Sequence, residues 1–248
     1  VTGLVVAPGF IDAHTHSDLS LLADPRADSK IRQGVTTEVI GNCGSSSAPL
    51  AGAALAEART DAALLELEVT WRGFAGYLDR LRASGTAVNV VPQVGHNTVR
   101  AAVVGLGDTQ PDGAQLAAME RLVEQAMEEG ARGLSTGLYY PPGFYAPTSE
   151  VVALARVAAR RGGFYSSHIR SESDGLLEAV DEAVAIGRQA GLPVEIAHMK
   201  VSGFRNWDLA DALIERLEGV EGLMILERSD GTLEEHASSG FHFRPAAP

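Results

Sequence analysis

Apolar residues in this chain come in short dense runs, separated by longer stretches in which they recur every three or four positions. The dense runs predict strands at Leu4 to Ala13 (interrupted by Pro8-Gly9), Gly34 to Ile40, Ala87 to Gly95, Gly163 to His168 and Pro193 to His198, with a weaker one at Ala131 to Gly137. The periodic stretches predict helices over Phe74–Ala83, Gln115–Glu129, Ser149–Arg161, Leu176–Ala190 and Asp208–Leu217. Ala51 to Leu67, rich in Ala and Leu, reads as a helical insertion. Thr148-Ser149-Glu150 offers a capping hydroxyl ahead of Val151, and Gly191-Leu192-Pro193 stops a helix before the next strand.

Strand and helix alternate, which is the order of βαβ units around a parallel sheet. No G-x-G-x-x-G follows the first strand, so a dinucleotide fold lacks its phosphate loop. The expectation is an α/β fold of the (β/α)8 TIM-barrel type, incomplete, with six strand–helix units and a seventh strand at Leu223 to Leu226. Residues 1–228 are then one partial barrel, and residues 229–248 a divergent tail with loop chemistry. Because the chain opens on Val1 and reads as strand at once, it is expected to begin inside a fold, as a fragment does.

Composition narrows the function. Of 248 residues 45% are apolar, enough for a sizeable core. A net charge of −12 opposes binding to nucleic-acid phosphates, which takes clustered Lys and Arg. No apolar run reaches the roughly 20 residues that span a bilayer. The single cysteine, Cys43, allows no internal disulfide and fits a reducing, cytoplasmic setting. Nothing in the pattern assigns an oligomeric state.

Chemistry concentrates at the ends of the predicted strands. In His14-Thr15-His16 the alternation of strand side chains points both imidazoles to one face, able to grip one metal ion. Cys43 follows the second strand in Gly41-Asn42-Cys43-Gly44, where the glycines permit a tight turn that leaves the thiol exposed at the barrel mouth. Beside a metal it becomes a thiolate, a soft ligand suited to zinc. His168 ends the fifth strand and His198 the sixth. Any one of these alone reads as ordinary packing. Their convergence on the carboxyl ends of the strands, where barrel active sites lie, points to a metal centre.

These residues also carry a resemblance. Pro8-Gly9-Phe10-Ile11-Asp12-Ala13-His14-Thr15-His16 resembles the opening of the metal-dependent amidohydrolases. Gly34-Val35-Thr36-Thr37, Gly41-Asn42-Cys43-Gly44, Val94-Gly95-His96, Ser135-Thr136-Gly137 with Tyr140-Pro141-Pro142, and His198-Met199-Lys200 resemble the N-acyl-D-amino-acid deacylase (D-aminoacylase) branch. The resemblance implies a zinc centre on His14, His16, Cys43, His168 and His198, with one ion held tightly and a second more weakly. Cys43 stands where many relatives carry a carboxylated lysine. It implies that Lys200 and Tyr140 grip the carboxylate end of a small N-acyl amino acid substrate. Lys200, two residues past His198 on an extended strand end, faces the pocket with it.

The implied activity is hydrolysis of a carbon–nitrogen amide bond by a zinc-activated hydroxide, deacylating N-acyl-D-amino acids. The family's proton-transferring Asp follows the eighth strand, and Asp230 is a weak match that comes too early in the chain. His236 and His242 receive no role, and His96 is expected in the pocket wall or a supporting hydrogen bond. Two alternatives stand beside this reading. A cyclic amidohydrolase of the dihydroorotase or hydantoinase kind needs a lysine on the fourth strand, where Ala131 to Leu138 has none. A truncated, non-catalytic metal-binding remnant is the other.

Overall fold

The computed structural model describes residue 3 and residues 6–218, 220 and 223–225, the last three by their backbone. The elements run β1 (Phe10–Asp12), α1 (Ser20–Ala23), α2 (Asp28–Ile31), β2 (Val35–Ile40), α3 (Gly52–Ala63), α4 (Phe74–Ser84), β3 (Asn89–Gly95), α5 (His96–Val103), α6 (Gly113–Glu129), β4 (Gly133–Gly137), α7 (Thr148–Arg160), β5 (Phe164–His168), α8 (Leu176–Ala190), β6 (Val194–Ile196), α9 (Leu209–Leu217) and β7 (Leu223–Ile225). The strands form one seven-stranded sheet in sequence order, every neighbouring pair parallel. Helices cover the connections, as parallel pairing requires.

The sheet curls. In a flat sheet the ends of β1 and β6 lie five strand spacings apart, about 24 Å. Yet the rings of His14, just past β1, and His198, just past β6, have centroids 5.0 Å apart. Only an arc that turns the strand ends inward brings them together, and that arc is the wall of a TIM-type barrel.

Two buried layers hold the arc. The outer layer packs helices on the sheet: α8 buries Leu176, Ala179, Val180, Ala183, Val184 and Ile186, the three- and four-residue spacing that marks one helix face. Gly187 continues that face, and a Cβ there would collide with Val194 of β6, so helix and strand touch closely. Within the sheet, β4 and β5 bury Ser135, Thr136, Ser166 and Ser167 rather than the Val and Ile usual in parallel strands. Thr136 is satisfied by the Tyr165 hydroxyl at 2.9 Å and Ser167 Oγ at 3.0 Å.

The expected strands and helices are found with bounds within a few residues of the sequence pattern, apart from β1, which is only three residues long; α1, α2 and α5 were not expected. The cap of α7 differs. Pro147 is the N-cap residue and no side chain caps the helix, because Thr148 donates to Glu182 at 2.7 Å. The expected stop at Gly191 holds: it adopts a left-handed conformation, φ 77°. The tail from Ser229 to Pro248, with Asp230, His236 and His242, lies outside the described residues. No helix among the described residues is long and apolar enough to cross a membrane.

Candidate metal centre

The segment Gly41-Asn42-Cys43-Gly44 leaves β2 and lies across the carboxyl ends of β3 and β4. A Cβ on Gly95 would overlap the Gly44 carbonyl, and one on Gly137 the Cys43 carbonyl, so the absence of side chains at both strand ends lets the loop settle there. Polar ties fix it. Asn42 donates to the carbonyls of Thr15 (3.0 Å) and Val39 (2.9 Å) and accepts from Gln93 (2.8 Å). The Gly44 N–H donates to Ser135 Oγ at 3.1 Å. One loop is thereby pinned to the segment after β1 and to strands β2, β3 and β4.

Cys43 itself sits at φ 52° and His198 at φ 39°. Non-glycine residues in this region cost on the order of 1–3 kcal/mol each and persist where their surroundings over-determine them. The cost falls on two of the residues that the sequence marked as metal ligands. The expectation of an exposed thiol is corrected: Cys43 is 9% exposed, because the loop is seated tightly and imidazoles close over the sulfur.

Those imidazoles converge. Cys43 Sγ lies 3.5 Å from His14 Nε2, 3.7 Å from His168 Nδ1 and 3.6 Å from His198 Nε2. The His168 and His198 rings stand 4.3 Å apart, and His16 stacks edge-on against His14 at 5.3 Å. Burial, reinforced by neighbouring histidines, lowers His14 and His168 to about 4, so both are neutral at ordinary pH. Burial pushes the Cys43 thiol up to about 12, with Glu172 and Glu195 adding to it and Lys200 opposing.

Glu172, which the sequence reading did not single out, completes the cluster. Its Oε1 accepts from His198 Nδ1 at 2.9 Å, contacts the Lys200 ammonium and lies 4.0 Å from His168 Nε2. Burial works to raise this carboxyl, but the hydrogen bonds of His198 and Lys200, with the Lys200 charge, outweigh it and hold it below the usual range. The one available signal was its place four residues after His168.

Lys200 stands beside His198 as expected, its Nζ 3.1 Å from the His198 carbonyl oxygen. Tyr140 is 44% exposed at the turn after β4, with its ring 4.7 Å from that of His168. His96 is fully buried rather than in a pocket wall, and its Nε2 meets Glu150, outside the metal cluster, at 2.8 Å. Its neighbour Asn97 donates to the carbonyls of Gly137 (3.1 Å) and Tyr140 (3.3 Å), holding the turn that carries Tyr140.

The donor set can be tested against a metal. Two ligands on one tetrahedral zinc, S at about 2.3 Å and N at about 2.05 Å, are separated by about 3.6 Å. The three Sγ···N distances bracket that value. His14 Nδ1 is buried with no hydrogen-bond partner among the described residues, which leaves its Nε2 the nitrogen aimed at the cluster. The residues fit a thiolate- and imidazole-bound zinc.

Known proteins share this framework. The chain is 42% identical over 238 residues to a D-aminoacylase of Alcaligenes xylosoxydans xylosoxydans, covering 95% of this chain and 48% of the relative. A solved D-aminoacylase, described as having a binuclear metal centre with one-metal activation and second-metal attenuation, superposes with a TM-score of 0.80 at 38% identity, covering 88% of this chain and 46% of its own. The N-acyl-D-glutamate deacylase of Bordetella bronchiseptica, solved with zinc and a phosphonate mimic of the tetrahedral intermediate, gives 0.79 at 38% identity, covering 88% and 47%. The chain thus spans about half the length of the relatives it matches. The amidohydrolase model matches residues 1–223, nearly the whole arc and all five of its clustered His and Cys residues, and the chain belongs to the amidohydrolase family.

Proposed function

We propose that this chain supplies the metal-binding half of a zinc-dependent hydrolase that deacylates N-acyl-D-amino acids. The observation that carries the reading is the set of three imidazole nitrogens at ligand-sharing distance around Cys43 Sγ. Its substrate class is supported by the relatives, which are named for D-amino-acid deacylation at about 40% identity. The single reduced cysteine at the centre supports cytoplasmic residence.

His14, Cys43 and His198, whose ligand atoms lie within 4.8 Å of one another, would hold one zinc, and His16 and His168 would extend the site toward a second. Zinc there would polarise the scissile carbonyl and make water nucleophilic near neutral pH. The protein's part begins with the neutral imidazoles of His14 and His168, which offer lone pairs without first losing a proton. Cys43, a thiol while no cation is near, gives up its proton on binding, so uptake of metal releases acid. Lys200 orients the substrate through its carboxylate as a point charge. Tyr140, half exposed beside His168, lines the same mouth and can donate its hydroxyl to the same carboxylate.

The test is release of free amino acid from N-acetyl-D-methionine by the zinc-loaded full-length protein, with the L-enantiomer as control. Turnover of the D-form alone is expected. A zinc-loaded protein that turns over neither enantiomer, or both equally, overturns the substrate assignment.

A further inference from the structure

We propose that Glu172 is a positioning residue for the metal centre, fixing the imidazole of His198 with its proton on Nδ1 so that Nε2 is presented to the metal. The inference rests on the zinc reading above. His198 turns Nε2 toward Cys43 Sγ at 3.6 Å and Nδ1 toward Glu172 Oε1 at 2.9 Å. A carboxylate accepts only, and at 2.9 Å it lies closer to Nδ1 than the Lys200 ammonium, a competing donor at 3.3 Å, so Nδ1 is the protonated nitrogen and Nε2 carries the free lone pair. His168 is arranged the same way at longer range, with Nδ1 toward Sγ at 3.7 Å and Nε2 4.0 Å from Oε1, beyond hydrogen-bond reach. The carboxylate therefore stands behind both rings, on the side away from the sulfur.

Glu172 is itself held. Its side chain is 13% exposed, and its carbonyl accepts from Ser202 N–H at 2.7 Å. Before it, Arg170 donates to Glu182 and to the carbonyls of Phe144 (2.8 Å) and Ala146 (3.0 Å). After it, Asp174 accepts from Asn206 at 3.0 Å. The Lys200 ammonium on the same Oε1 sets the carboxylate's rotamer. His14 offers the contrast, since its Nδ1 has no partner among the described residues and nothing there fixes its tautomer.

Partners of this kind are typically worth 10–100-fold in metal affinity. In the full chain, zinc affinity is measured by competition with a chromogenic chelator, and the ligand field is read from the absorption of the cobalt(II)-substituted protein. Glu172→Ala is expected to weaken zinc 10–100-fold and alter the cobalt spectrum, with far-UV circular dichroism unchanged. Glu172→Gln, whose amide oxygen still accepts from Nδ1, is expected to recover part of that affinity. A merely structural role would not give partial rescue together with a changed ligand field. Wild-type affinity in Glu172→Gln and Glu172→Ala alike overturns the proposal. So does a cobalt spectrum showing that an oxygen ligand is lost in both, because Glu172 is then a ligand itself. Failure of the wild-type chain to bind zinc sinks the zinc reading and takes this inference with it.

Discussion

Gly137, the last residue of β4, leaves no room for a Cβ against the carbonyl oxygen of Cys43, and the same Cβ would press on the Tyr140 ring. A backbone contact thus sets the height of the loop that carries the thiol. Gly137→Ala is expected to lift that loop, lowering zinc affinity and costing about 1–3 kcal/mol by overpacking. Denaturant unfolding and chelator competition measure the two effects, and an unchanged metal affinity would show that the loop is not seated by this contact.

Cys43 is the atom around which three imidazoles are spaced, so its loss should cost more metal than that of a peripheral histidine. Cys43→Ala and His198→Ala are expected to leave purified protein nearly zinc-free by elemental analysis, whereas His16→Ala retains one equivalent. A folded Cys43→Ala protein with a full complement of zinc would sink the assignment.

Much of this centre was legible in the sequence because a parallel barrel places strand ends at one rim. A His or Cys just after a β-rich run is therefore located by the run itself, as with His14, Cys43, His168 and His198. Glu172 was not legible. It lies in Ser171-Glu172-Ser173-Asp174, which reads as a solvated turn, and its partner His198 comes from a different strand. The helix α5 was missed because it starts directly at His96, with no loop after β3, and its opening His96-Asn97-Thr98 shows no apolar period. The cap of α7 misled for a similar reason: the hydroxyl of Thr148 goes to Glu182 of α8 instead of the helix end, and the Glu150 carboxylate two residues on turns inward to His96 and Arg100. Long-range partners outcompeted a local signal, and sequence spacing alone does not contain them.

That inward turn is costly to undo. Arg100 and Glu150 are 0% and 3% exposed, and His96 completes the buried triad. Burial works to raise the Glu150 carboxyl, but His96 and Arg100 together hold it below its ordinary range. Glu150→Ala strands a buried guanidinium and is expected to destabilise the fold by about 3–5 kcal/mol. Urea unfolding at constant m-value reads this directly, and a loss under 1 kcal/mol would mean that water reaches Arg100.

Lys200 is 52% exposed and tethered to Glu172, free to accept a substrate carboxylate on its open side. If it grips that carboxylate equally in the ground and transition states, Lys200→Ala in the full-length protein raises KM and leaves kcat nearly unchanged. A fall in kcat at constant KM would instead place the lysine against the reacting centre.

Glu195 carries the clearest pH signature. It lies on β6 at 2% exposure, Oε1 has no hydrogen-bond partner among the described residues, and burial pushes its carboxyl from 4.5 up to about 8. Its register neighbour Ser166 likewise has an Oγ without a partner among the described residues. Between pH 4.5 and about 8 the unfolded chain has released this proton and the native state keeps it, so this group makes stability fall as pH rises through that window and level off above it. His14 and His168, lowered to about 4, act with the opposite sign, because below pH 6.5 it is the unfolded state that takes up their protons. Comparison with Glu195→Gln isolates the carboxyl. The variant is expected to gain on wild type by up to about 1.4 kcal/mol per pH unit across the window, with little difference at pH 4.5. Urea unfolding of the metal-free proteins from pH 5 to pH 9 gives both curves. Parallel curves would mean that Glu195 is ionised in the native state and has found a cationic partner.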